Sequence, residues 1–112
     1  MAGVIKRLAG PLALTTTYTT DIYVPSANTR GVIRQIHISN KGAASAFRLY
    51  LGATATNAAG TELFYDRAID ANAELDFYWP AGLVLTSSQY IVGGAADATR
   101  LTITITGDKI AA

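Results

Sequence analysis

Apolar and polar residues alternate with a period of two over short runs of this chain, and clusters of turn-forming residues separate the runs. In the stretch RLTITITG, Leu101, Ile103 and Ile105 alternate with Thr102, Thr104 and Thr106. An extended backbone sends successive side chains to opposite faces, so the stretch predicts a strand with an aliphatic face and a threonine face. VIRQIHIS predicts another: Val32, Ile36 and Ile38 share one side with Arg34 as a polar exception, and His37 shares the other with Ile33, Gln35 and Ser39. Phe47, Leu49 and Leu51 alternate with Arg48 and Tyr50, and Leu75, Phe77 and Trp79 alternate with Asp76 and Tyr78.

Turn residues place the remaining boundaries. A first extended region is expected over residues 12–24, broken near 19–21 and stopped at Pro25, with PSANTRG as the turn that follows. Residues 53–60, small and polar, read as an exposed loop. TELFYDRAI reads as a strand of ambiguous parity, because Leu63, Phe64 and Tyr65 are consecutive. Asp70-Ala71-Asn72 reads as the turn of a hairpin into ELDFYWP, where Pro80, lacking an N–H, must end the strand or lie at a sheet edge. Residues 83–85, 89–92 and 98–106 complete a set of about eight strands at roughly 8 to 12-residue spacing. The expected fold is all-β: a single jelly-roll-like β-sandwich of antiparallel strands over residues 21–112. Residues 1–20 form either an N-terminal arm or a first strand.

Composition agrees and narrows the function. Fourteen threonines and six tyrosines favour a pleated surface. With no cysteine there is no disulfide, thiolate metal site or cysteine nucleophile. Nine Lys+Arg against eight Asp+Glu give a net charge of +1, scattered singly, so no nucleic-acid footprint is expected. Charged residues are 15% of the chain, against roughly 25% in ordinary domains, which points to an outer surface meant for protein contact. No run is long enough to span a bilayer, and Lys6 and Arg7 interrupt the N-terminal apolar run, so the chain is expected to be made and kept in a cytoplasm unless it leaves in a particle.

Candidate chemistry is sparse. His37 is the sole histidine and has no visible triad or metal partners. Glu62, Asp66, Asp70, Glu74 and Asp76 lie on two expected hairpin neighbours, but Arg67 stands among them and solvated edge charges are their simpler role. Gly93-Gly94 lacks the spacing of a phosphate loop, and Ser87 and Ser88 lie in no nucleophile elbow. No enzyme, cofactor or metal site is expected. Tyr50 and Tyr78, with Arg48 beside the first, fall on the outward parity of their strands. They suit a protein interface, a platform for sugar rings, or a cross-strand pair that binds nothing. Thr102, Thr104 and Thr106 carry no charge and are expected to lie against a neighbouring subunit or the N-terminal segment.

The order of these elements resembles small β-sandwich virion proteins of tailed bacteriophages. The likeness runs from Asp21 to Ile110: a strand ending near a Pro, VIRQIHISN, FRLYLG, a hairpin leading to WP, an LVL…S segment, and a final strand alternating aliphatic residues with Thr. The resemblance implies a structural virion protein made in the host cytoplasm, foremost a decoration protein on the outer capsid shell. Its partners would be itself, as a homotrimer, and the major capsid protein, with no nucleic acid or membrane. The alternative is a small tail fibre or baseplate module that touches the host surface and binds glycan.

Overall fold

β-Branched and aromatic residues dominate the alternating runs, and each run becomes a strand. The computed structural model describes residues 4–52 and 60–111. Eight strands follow in chain order: β1 (Val4–Ala13), β2 (Thr20–Tyr23), β3 (Thr29–Asn40), β4 (Ser45–Gly52), β5 (Glu62–Ile69), β6 (Glu74–Leu85), β7 (Tyr90–Ala95) and β8 (Leu101–Ala111). They build two four-stranded sheets in the orders β1-β8-β3-β6 and β2-β7-β4-β5. Every pairing is antiparallel. Consecutive strands sit in opposite sheets except β4 and β5, and this wrapping is the jelly roll. The all-β sandwich read from the alternation is the fold.

The aliphatic faces meet between the sheets. Ile36, Ile38, Phe47, Leu49, Ile91, Ile103 and Ile105 are wholly excluded from solvent, and each side chain buried this way stabilises the fold by about 1.5–3 kcal/mol. Leu75, Phe77 and Trp79 pack against this core from β6 and remain partly buried. They close the flank where β5 faces β6: Phe64 and Phe77 rings lie 4.3 Å apart, and Phe64 and Trp79 rings 6.5 Å.

Several local expectations change. Residues 4–13, inside the segment read as an arm or first strand, form β1 along the edge of β8, with Lys6 opposite Gly107 and Ala13 opposite Thr102. Pro11 is accommodated because β1 is an edge strand. The extended region expected over 12–24 is split, with residues 14–19 crossing between sheets before β2 pairs with β7.

In β3, Ile33 lies opposite Gly107 and Gln35 opposite Thr106, so Arg34 is an extra residue, a β-bulge. Bulging flips the parity, which puts Ile33 in the core with Ile36 and Ile38 and removes it from the His37 face. Arg34 turns outward, donating to the Pro80 carbonyl at 2.7 Å and pairing with Asp108 at 3.1 Å.

The runs 74–79 and 83–85 belong to one strand. Ile33 lies opposite Leu83 and Gln35 opposite Tyr78, so residues 79–82 swell out of edge strand β6 and carry Pro80 with them. Residues 80–82 thus belong to a bulge within β6, and residues 53–59, within the segment read as an exposed loop, lie outside the described residues. The Asp70-Ala71-Asn72 turn joins β5 to β6, yet these strands belong to different sheets and form no hairpin ladder. The last strand runs on from residue 106 to Ala111.

Candidate functional site

The first sheet presents one outer face of three aligned rows. Thr106, Gln35 and Tyr78 form one, Thr104, His37 and Asp76 the next, and Thr102, Ser39 and Glu74 the third. Thr102, Thr104 and Thr106 are half-buried on this face. β1 extends the sheet beside them rather than crossing over them. Tyr78, at the β6 edge, is 65% exposed.

Strand register supplies partners for His37 that spacing along the chain did not reveal. Its Nδ1 lies 2.6 Å from Asp76 Oδ1 and its Nε2 3.2 Å from Glu74 Oε1. Gln35 Nε2 donates to the same Asp76 oxygen at 2.9 Å and to the Tyr78 hydroxyl at 3.5 Å. A carboxylate stands at each ring nitrogen, so neither nitrogen faces a hydroxyl, as nucleophile activation requires. The two carboxylates sit on opposite sides of the ring, so their lone pairs do not converge on a metal position. Among the described residues no His, Asp and Glu group forms one. The network braces the face across β3 and β6.

The hydrogen bond from His37, and then that from Gln35, holds the Asp76 carboxyl below the usual carboxylate range. A depressed acid pKa favours the native state above the unfolded pKa, and that contribution disappears as pH falls through the lowered value. His37→Ala is expected to return the Asp76 midpoint upward toward the ordinary value. An NMR titration of side-chain carboxyl carbons from about pH 6 to about pH 2 spans that range; an unmoved midpoint would exclude His37 as the cause.

The second sheet carries an aromatic and cationic cluster. Arg48 lies between two tyrosine rings, its guanidinium carbon 4.4 Å from the Tyr18 centroid and 4.1 Å from that of Tyr65. Asp66 grips it from β5, accepting from Nε at 2.6 Å and from Nη2 at 3.2 Å. That hydrogen bond is the leading reason the Arg48 pKa rises and the Asp66 pKa falls. Gly94, paired opposite Arg48, allows the 14–19 crossing to approach: a Cβ there would press on the Thr15 and Thr17 carbonyls. This approach brings Tyr18 to Arg48.

Tyr50 shares the outward parity of Arg48 but is only 3% exposed. The accessible surface here is carried by Tyr65, 60% exposed, together with Arg48 and Tyr18. Sequence reasoning found Arg48 and missed both rings. Tyr65 sat in a run of ambiguous parity, and Tyr18 reaches the site only through the crossing between sheets. The acidic residues once expected on neighbouring hairpin strands are separated, Asp66 to Arg48 and Asp76 to His37.

No protein-family model matches the chain, and neither the curated proteins nor the solved structures contain a significant match to it.

Proposed function

We propose that the chain is a structural virion protein of a tailed bacteriophage, a decoration protein that sits on the outer capsid shell as a homotrimer against the major capsid protein. The observation that carries this reading is the outer face of the β1-β8-β3-β6 sheet. Along β8 it offers Thr102, Thr104 and Thr106 with no charge from Leu101 to Gly107. The carboxylates of this face, Glu74 and Asp76, stand on edge strand β6 and pair with His37, which leaves the β8 strip uncharged toward an approaching copy. Short, uncharged threonines lose little side-chain entropy when a second surface covers them. The jelly-roll order adds support, since capsid proteins use it, although lectins and cupins do too.

Self-association should depend on this face. Sedimentation velocity is expected to find a trimer for the native chain and a monomer for Thr104→Lys, with unchanged circular dichroism. A native chain that stays monomeric, with the variant indistinguishable from it, would overturn the face as an assembly surface. Electron microscopy of particles bearing the labelled chain is expected to find it across the shell.

A second reading, a tail fibre or baseplate module that binds host glycan, is favoured by the exposed Tyr65 ring stacked on Arg48. Labelling confined to the tail would favour it over decoration.

A further inference from the structure

At one end of the sandwich the core-facing side of the sheet turns basic. Lys6 lies opposite Gly107, and Lys109 continues the inward parity of Ile103, Ile105 and Gly107, so both ammonium groups are carried on the side that faces the second sheet. Tyr23, ending β2, lies over Gly31, where any Cβ would collide with the phenol ring, and Gly31 pairs with Lys109. Ser26 and Thr29, from the turn that follows, complete the wall together with Arg7. These groups enclose a recess of about 250 Å³.

Basic side chains line the recess beside the apolar Leu8 and Val24. No carboxylate lines it. Lys6, Arg7 and Lys109 make no ion pair among the described residues, whereas Arg34, Arg48 and Arg100 are all matched to an aspartate. Lys6 and Lys109, two like charges carried on the same side of the sheet, repel one another until an anion enters. Burial pushes the Tyr23 hydroxyl pKa up, so it keeps its proton, and it has no hydrogen-bond partner among the described residues. Thr29 Oγ1 donates to the Ser26 carbonyl at 2.7 Å and accepts from the Ser26 hydroxyl at 3.1 Å, so these two side chains brace the turn that walls the recess.

We propose that this recess binds a small oxyanion-bearing ligand, a phosphoryl or carboxylate group carried on a body about the size of one sugar ring. Charged donors around an oxyanion make the stronger class of hydrogen bond. The volume sits just under the roughly 300–1,000 Å³ of drug-sized pockets, which fits one such group and little more. Charges gathered into one recess, rather than spread along a face, favour a small anion over a polyanionic chain. The site stands apart from both outer faces and holds whether the domain belongs to shell or tail.

The test is an NMR titration of the full chain with inorganic phosphate, glucose 6-phosphate, glucuronate and glucose. Phosphate or glucuronate should move amide signals around the recess saturably, and glucose should not. A response to the phosphates alone assigns a phosphoryl ligand, and one to glucuronate alone a carboxylate. Lys6→Gln and Lys109→Gln should each weaken binding by about tenfold. Lys41→Gln, on the exposed β3–β4 turn, should leave it unchanged. Silence from all the anions, an equal response to glucose, or unaltered affinity in both recess variants would overturn the proposal.

Discussion

Replacing Phe47 with alanine is expected to destabilise the fold by about 3–5 kcal/mol, the usual range for removing a buried phenyl ring. Phe47 is fully excluded from solvent on β4, with β7 on one side and β5 on the other. Its ring meets Phe64 at 5.6 Å and Phe77 at 6.2 Å between centroids, so it joins an inner strand to both edge strands on the β5–β6 flank. No ladder closes that flank, since β5 and β6 belong to different sheets. The aromatic cluster is therefore what holds it together, and truncation leaves a void as well as lost transfer energy.

Against a total stability of about 5–15 kcal/mol for a domain, the loss is large. Urea unfolding should register it as a lower midpoint at unchanged slope. Tyr78→Ala, removing an exposed ring of similar size, should stay within about 0.5 kcal/mol. A Phe47→Ala loss below about 1 kcal/mol would mean that Phe64 and Phe77 collapse into the space.

The second large effect is expected at Asn40, the buried polar side chain of the described core, 4% exposed. The inward parity of β3 carries it past Ile36 and Ile38 to the end of the strand, where apolar packing gives way to two crossings. Its amide nitrogen donates to the Ala43, Asp70 and Ile69 carbonyls at 2.9, 3.1 and 3.4 Å, and its oxygen accepts from the Gly42 N–H at 3.0 Å. One side chain thus ties the β3–β4 crossing to the β5–β6 crossing. Asn40→Ala is expected to cost about 2–4 kcal/mol, since each buried group left unpaired costs about 1–3 kcal/mol.

Asn40→Asp separates shape from chemistry. It keeps the acceptor for Gly42 but sets a second oxygen against the carbonyls. The carboxylate form is disfavoured there, so the native-state pKa of Asp in that variant rises above the unfolded value. The native state then binds more protons than the unfolded state. Stability is greatest below the unfolded pKa and is lost as pH rises through the folded one. Urea midpoints measured across pH should fall toward neutrality for Asn40→Asp but not for Asn40→Ala; a variant as stable as the native chain at neutral pH would show that the donor role is dispensable.

Much of the fold was legible because it is local. Leu101, Ile103 and Ile105 are buried as their alternation predicts, and so are Phe47 and Leu49, with Leu75, Phe77 and Trp79 packed at the margin. The misreadings arose where one residue shifted the phase. Arg34 looked like a polar exception on an apolar face and is the bulge itself, which is why Ile33 and not Val32 belongs to the core cluster. Pro80, read as ending a strand or lying at an edge, does lie in edge strand β6, within a swelling that joins the two runs read as separate.

The sites were less legible than the strands. Arg48 and Tyr78 were found from parity, while Tyr18 and Tyr65 around Arg48, the carboxylates flanking His37, and the shared recess of Lys6 and Lys109 were not. Each of these depends on residues far apart in the chain meeting at a particular register. Alternation follows from the two-sided geometry of an extended backbone, so the order of residues alone specifies an all-β chain and marks those that seek the interior. Which strands share a sheet, where parity flips and which charges converge become defined only in the folded sandwich. Those outcomes are settled by pairing and packing energies summed over the whole sandwich, and no short stretch encodes that sum.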